Sequence, residues 1–284
     1  MHQNRTRIFD MWLSPARKVI PAILGLALLA GCQSAGYEDS PFDSAVGSAA
    51  NISSLTAVVE ANPRDASAYN TRGIAYGQAG KLDLAVQDFD TALQLDPNSY
   101  QAYANRALVR RRQNNIQAAI QDYSRALNLK PNYDIALVGR GNAYRELGQF
   151  PQALQDFNAA IAENSGDARA FFNRGLIYQA QGQHQQAIED FSIAIGLNPN
   201  ANEPYTARGI SYLAINDPNA ALEDLTVAIN LDKNSSVAWA NRGVALEMNN
   251  KRNDARRNYS KALTLDRSND LAREGLSRID RGNR

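Results

Sequence analysis

The chain has one cysteine, Cys32, and two histidines, His2 and His184. A single thiol excludes an internal disulfide, and no CxxC pair exists for metal or redox chemistry. His184 stands in the polar stretch QGQHQQ, and no HExxH pattern occurs anywhere in the chain. There is no GxSxG elbow and no Gly-rich phosphate loop, since Gly80-Lys81 lacks the preceding glycine framework. The chain therefore reads as non-enzymatic, with no metal and no cofactor. Charge of one sign is also missing: 30 bases face 29 acids. Such a balance gives no general electrostatic drive toward nucleic acid or anionic lipid. The apolar run Val19 to Ala30, broken only by Pro21, is too short to span a bilayer comfortably.

What the sequence does have is a period. The pair Arg-Gly recurs as Arg72-Gly73, Arg140-Gly141, Arg174-Gly175, Arg208-Gly209 and Arg242-Gly243, with Arg106-Ala107 as a near copy. Every step is 34 residues, without insertion, across six copies. A fixed period of that size marks a solenoid of stacked helix-turn-helix units. With position 1 set at Ala66, Tyr100, Asp134, Ala168, Asn202 and Ser236, other columns align. Position 4 is large: Tyr69, Tyr103, Leu137, Phe171, Tyr205, Trp239. Positions 20 and 27 are always alanine, and position 24 is Phe89, Tyr123, Phe157, Phe191, Leu225 and Tyr259. Position 15 is always Gly or Asn, the residue types that accept a left-handed C-cap. Helix A is thus expected over roughly positions 1–14 and helix B over roughly 17–30, with Pro151 and Pro218 early in helix B where a missing N–H costs little.

These columns resemble the tetratricopeptide repeat (TPR) over residues 66–269. Position 7 departs from the family, being arginine in every unit where an aliphatic residue is usual. The resemblance implies an all-α, right-handed α-solenoid of six units with helix A lining a concave groove. Asn51 to Ala61 reads as a lone helix B, a half-repeat N-cap over 51–65, and residues 270–284 as a C-terminal capping helix. Capping elements with polar outer faces are expected of solenoids.

The Arg-Gly pair has two structural tasks in this reading. Turning at position 15 brings position 8 against position 20, so glycine facing alanine lets the two helices approach. The same antiparallel geometry sets the arginine opposite position 23, which is Asp88, Asp122, Asp156, Asp190, Asp224 and finally Asn258. An ion pair within each of the first five hairpins is expected.

The N-terminus reads differently. Bases up to Lys18 followed by the apolar run suit an export signal over residues 1–31, with Met11 as an alternative start. Leaving out its four bases and one acid, 26 bases and 28 acids remain. Leu29-Ala30-Gly31-Cys32 resembles a bacterial lipoprotein lipobox, which implies an acylated Cys32 carrying a palmitate-type anchor. Several acyl chains give stable attachment where one gives only marginal binding. Gln33 in place of aspartate implies the outer membrane, periplasmic face, in Gram-negative sorting. Residues 32–50 read as a flexible tether after the lipidated cysteine, rich in small residues with Gly and Pro.

The functional expectation is a groove that holds proteins or extended peptides. Asn70, Asn105, Asn142, Asn173 and Asn241 offer donors and acceptors for a peptide backbone. Arg111, Arg112 and Arg145 form a basic cluster suited to an acidic segment. The asparagines loosely resemble a carboxylate clamp used by some TPR proteins, but its lysines are absent at position 5. In length and features the chain resembles NlpI-like lipoproteins. That resemblance implies an adaptor that recruits a processing protease and peptidoglycan hydrolases. The alternative is an assembly lipoprotein for a type IV pilus secretin or the barrel-insertion machinery. Sequence leaves the oligomeric state open, a homodimer included.

Overall fold

The computed structural model of the chain describes residues 46–281. The expected signal, Cys32 and most of the tether lie outside the described residues. Every regular element among the described residues is a helix, fourteen in all. The helix A series is α2 (Ala66–Gln78), α4 (Tyr100–Arg112), α6 (Asp134–Glu146), α8 (Ala168–Ala180), α10 (Asn202–Ala214) and α12 (Ser236–Met248). The helix B series is α3 (Leu82–Leu95), α5 (Ile116–Leu129), α7 (Phe150–Glu163), α9 (His184–Leu197), α11 (Pro218–Leu231) and α13 (Arg252–Leu265). A single helix α1 (Ala49–Ala61) precedes them and α14 (Asp270–Arg281) follows. Each helix packs on the next in the chain, and successive A helices touch, which makes the six units a TPR α-solenoid.

Local chemistry sets the boundaries. The Asp65 and Asp167 side chains accept the N–H of Ser67 and Arg169 and open α2 and α8. Ser99 and Ser235 do the same for α4 and α12. Helix A closes at position 15 as expected: Gly80, Gly148 and Gly182 have φ of 72°, 69° and 74°, and Asn114, Asn216 and Asn250 have 61°, 63° and 59°. There the Lys81 N–H reaches the Tyr76 carbonyl at 2.9 Å and the Gly80 N–H reaches Gly77 at 3.1 Å, the paired bonds of a Schellman turn. Helix α1 starts at Ala49, two residues ahead of the expected 51, because the Ser48 side chain caps it by accepting the Asn51 N–H.

The glycine at position 8 has a different partner from the one expected. A Cβ on Gly73, Gly141 or Gly175 would stand 2.7–2.8 Å from the ring of Phe89, Phe157 or Phe191 at position 24, not against the alanine at position 20. In unit five the obstacle is Leu225, 2.8 Å from a Cβ on Gly209. Glycine is needed because the largest core side chain of helix B lies flat on the backbone of helix A. The alanines at positions 20 and 27 are fully buried and let the helices close up elsewhere.

Where position 24 is tyrosine, a glycine of the next A-type helix faces the ring, although position 8 of unit two is Ala107 and not glycine. A Cβ on Gly139 would be 2.4 Å from the Tyr123 ring, and one on Gly275 would be 2.4 Å from Tyr259. Helix α14 therefore sits where the A helix of a seventh unit would sit. Its Arg278 meets Glu247 at 3.0 Å, and the buried Tyr259 hydroxyl donates to Glu247 at 2.8 Å. Burial and then the Glu247 charge push that phenol well above its ordinary pKa. The far side of α14 is closed with exposed polar residues, Arg273, Ser277 and Asp280.

Candidate functional site

The expected pairing of positions 7 and 23 is present in all five hairpins that carry aspartate. Arg72, Arg106, Arg140, Arg174 and Arg208 each donate from Nε and Nη2 to both carboxylate oxygens of Asp88, Asp122, Asp156, Asp190 and Asp224, at 2.6–2.8 Å. The hydrogen bonds to aspartate hold Arg72, Arg140, Arg174 and Arg208 above the usual arginine range in spite of burial. For Arg106 burial is the largest influence and pulls downward, and Asp122 with Asp90 outweighs it. In the sixth hairpin Asn258 replaces aspartate, and Arg242 donates to its Oδ1 at 2.8 Å. Without a carboxylate, burial lowers the Arg242 pKa.

Each guanidinium also lies among aromatic rings of its own helix. Arg174 is 5.6 Å from the Phe171 centroid and 5.9 Å from Tyr178, and Arg242 is 4.5 Å from Trp239. A cation over a ring face gains about 0.5–1 kcal/mol when exposed and about 2 kcal/mol or more when desolvated. The rings thus stabilise a charge that the otherwise apolar face would exclude.

One feature of this ladder was not read from the sequence. The remaining nitrogen, Nη1, reaches back to position 25 of the preceding unit. Arg106 meets Asp90 at 2.6 Å, Arg140 meets Ser124 at 3.1 Å, Arg174 meets Asn158 at 2.7 Å and Arg208 meets Ser192 at 2.9 Å. One arginine therefore ties its own hairpin together and fastens it to its neighbour. The signal was available: position 25 is polar in every unit, from Asp90 and Ser124 to Thr226 and Ser260.

The asparagines expected in the groove divide into two kinds. Asn70 and Asn105 are half-buried, and Asn105 Nδ2 donates to Asn70 Oδ1 at 3.1 Å, so they satisfy each other across units one and two. Asn142, Asn173 and Asn241 are buried, not open to solvent. Asn173 and Asn241 turn Nδ2 onto their own helices, to the Arg169 and Val237 carbonyls, each at 2.9 Å. A lone Asn amide near an accessible backbone carbonyl closes on it, which is the physical reason the exposed row does not form. The Oδ1 atoms of Asn142 and Asn173, in adjacent units, are buried with no partner. Buried acceptors of this kind are uncommon and cost about 1–3 kcal/mol each. Gln78 Oε1 in α2 is a third such acceptor, and all three are closed to solvent.

The basic cluster is likewise engaged inside the fold. Arg111, with only 8% of its side chain exposed, pairs with Glu146 at 2.6 Å. Arg110 joins Asp122 at 2.8 Å, and Arg112 donates to the Gly77 carbonyl at 2.8 Å. Arg145 is half-buried and also has an interaction partner. The expected site for an acidic segment is therefore an internal network in which Arg112 is the exposed member. Glu146 is taken up by Arg111, and Asp90 by Arg106 and Arg110.

His184 opens α9 at position 17, a place held by Leu82, Ile116 and Phe150 in other units. It is half-buried with Nδ1 lacking a partner, and burial lowers its pKa. The folded state thus holds it neutral, while the unfolded chain takes up a proton near the ordinary value of about 6.5. Stability from this group is complete above that pH and is lost as pH falls below it toward the folded value. Thermal melts are expected to drop between pH 7.5 and 5.5, and the drop is expected to shrink in His184→Phe. An equal drop in both proteins would refute the assignment.

Among the described residues no group of three His, Cys, Asp or Glu is placed to hold a metal ion. Among them too, no helix is long and apolar enough to cross a membrane. The stacked hairpins, with a continuous row of A helices, define a scaffold for protein–protein interaction. The repeats are tetratricopeptide repeats: residues 66–99, 107–144 and 138–202 match models of the tetratricopeptide or TPR repeat. No match to a curated protein sequence was found.

Solved structures share the fold. The Cut9–Hcn1 hetero-tetramer of the APC/C superposes with a TM-score of 0.73 at 18% identity, over 82% of this chain and 47% of that one. This chain thus spans about half the length of that protein. The Pseudomonas aeruginosa PilF structure gives 0.69 at 20% identity, over 75% of this chain and 97% of that one. YrrB, described as a TPR protein with an unusual peptide-binding site, gives 0.52 at 23% identity, over 66% and 96%.

Proposed function

We propose that the chain is a lipid-anchored scaffold on the periplasmic face of the outer membrane. In this reading it is an adaptor that gathers cell-envelope proteins, a processing protease and peptidoglycan hydrolases among them. The observation that carries the reading is the coexistence of two features. One is an uninterrupted six-unit TPR solenoid. The other is Leu29-Ala30-Gly31-Cys32 at the end of a short apolar run, 17 residues ahead of the first helix. The anchor confines the scaffold to a surface, and the scaffold raises the effective concentration of whatever it holds there.

The groove's part is to hold an extended segment of a partner. The peptide-binding site named for YrrB lends support to a peptide as the ligand. The second reading keeps the anchor and changes the cargo to a pilus secretin or the barrel-insertion machinery. The likeness to PilF, over nearly the whole of that chain, is one of fold and fits either reading.

Capture of partners by the full acylated chain from detergent extracts separates these readings. A protease together with a peptidoglycan hydrolase is the expected catch. Secretin or barrel-machinery subunits would favour the second reading. Turnover of a model substrate by the chain alone would overturn both.

A further inference from the structure

We propose that the basic end of helices α4 and α6 is a docking surface for an acidic extended segment, and that its occupant is Glu38 to Asp43 of this same chain. The chain enters the solenoid beside that end. Asn51 donates to the Val46 carbonyl, which fixes the residues ahead of α1. Gly47 lies against the C-terminal end of α2, where a Cβ on it would stand 2.9 Å from the Ala79 nitrogen and 3.2 Å from the Gln78 Cβ. The end of α4 meets the same turn, since Arg112 donates from Nη1 to the Gly77 carbonyl at 2.8 Å. Whatever precedes Gly47 therefore starts next to Arg112.

Charge is arranged to receive it. Positions 12 and 13 of helix A carry a base only in units two and three, as Arg111, Arg112 and Arg145. Glu146 is the one acid at these positions in the two units, and Arg111 takes it up. Arg112 is exposed and bonds to a neutral carbonyl, so its charge is not neutralised. Residues 33–45 hold Glu38, Asp39 and Asp43 and no base. Pro41 fixes its own φ and restricts Ser40 to extended backbone, so part of the ordering cost of docking is already met.

Length fits as well. Asp43 is four residues from Gly47, a reach of at most about 14 Å, and Asp39 is eight, a reach of at most about 28 Å. Neighbouring helices pack about 8–10 Å apart. Asp43 can thus meet Arg112 on α4, one A helix beyond α2, and Asp39 can meet Arg145 on α6, two beyond. A segment joined to its seat by so short a link acts at an effective concentration of about millimolar, so that even a weak contact is made. A partner peptide entering there must displace it. That consequence rests on the peptide-binding reading of the groove; the contact itself does not.

Cleavage after Glu38 by a glutamate-specific protease tests the contact on the full acylated chain in detergent. At low salt the parent chain is expected to be cut there about tenfold more slowly than Arg112→Glu, in line with one or two charge-assisted hydrogen bonds. About 1 M salt is expected to remove the difference. The exposed position of Arg112 leaves the fold in place, which helix content checks. In a second measurement a labelled peptide of residues 36–45 is added. It is expected to bind the triple variant Glu38→Gln, Asp39→Asn, Asp43→Asn about tenfold more tightly than the parent, whose own segment competes. Equal cleavage of parent and Arg112→Glu at low salt, or peptide binding that is absent or equal in both chains, would overturn the proposal. Protection of Glu38 in a chain that captures no envelope protein would sink the adaptor reading alone.

Discussion

Asp190→Ala is expected to lower stability by about 3 kcal/mol, far more than loss of a surface ion pair. Exposed pairs contribute about 0–1 kcal/mol. Breaking a buried pair by deleting one partner costs about 3–5 kcal/mol, because the other charge stays behind unpaired. Asp190 lies on the buried side, with 4% of its side chain exposed, while Arg174 keeps 20%, which places the expectation at the lower end. Arg174 would retain its bond to Asn158 and its place between Phe171 and Tyr178. The stranded guanidinium therefore stays where it is poorly hydrated. A double-mutant cycle in urea with Arg174→Met is expected to return a coupling of about 2 kcal/mol. Coupling near zero would show that the arginines are merely solvated cations.

Phe157→Ala is expected to cost about 3–5 kcal/mol, the range for a fully buried aromatic cut to a methyl. The ring lies on the backbone at Gly141, which has no side chain to move into the space. Phe157→Leu provides the control, since Leu225 already performs the same task against Gly209 in unit five. It is expected to cost about 1–2 kcal/mol, less than half the alanine value. Equal losses for leucine and alanine would mean that ring shape, not volume over the glycine, is what the site requires. Because solenoid stability runs through neighbouring units, both losses should be largest in local probes of units three and four.

Much of this was legible in the sequence. The 34-residue period, the left-handed residue at position 15 and the pairing of Arg174 with Asp190 all depend on geometry inside one hairpin. A turn of fixed length determines which residues of two antiparallel helices meet, and sequence spacing reports turn length directly. The rest depends on how one hairpin leans on the next, an angle that spacing does not encode. The Arg174–Asn158 bond crosses that joint, and so does the contact of Tyr123 with Gly139. Both left traces in the columns, a polar position 25 and a glycine following each tyrosine at position 24, but only the packing gives those traces meaning.

The glycine partner was misread for a related reason. Positions 20 and 24 share a face of helix B, and whether Gly175 meets Ala187 or Phe191 is decided by about one helical turn. The side chain that lies down on the facing helix of its own hairpin takes the space, and that is the ring. Among the asparagines, Asn173 and Asn241 were read as groove-lining because helix A was expected to line the concave face. Local bonds to the Arg169 and Val237 carbonyls drew them inward.

The proposed lipid anchor rests on Cys32 more than on any other residue, and metabolic labelling tests it directly. Cells expressing the full chain are supplied with labelled palmitate and the protein is recovered in detergent. Label on the parent chain and none on Cys32→Ala, with the variant leaving the membrane fraction, is the predicted result. A parent chain that carries no label, or a Cys32→Ala variant that keeps both label and membrane attachment, would contradict it.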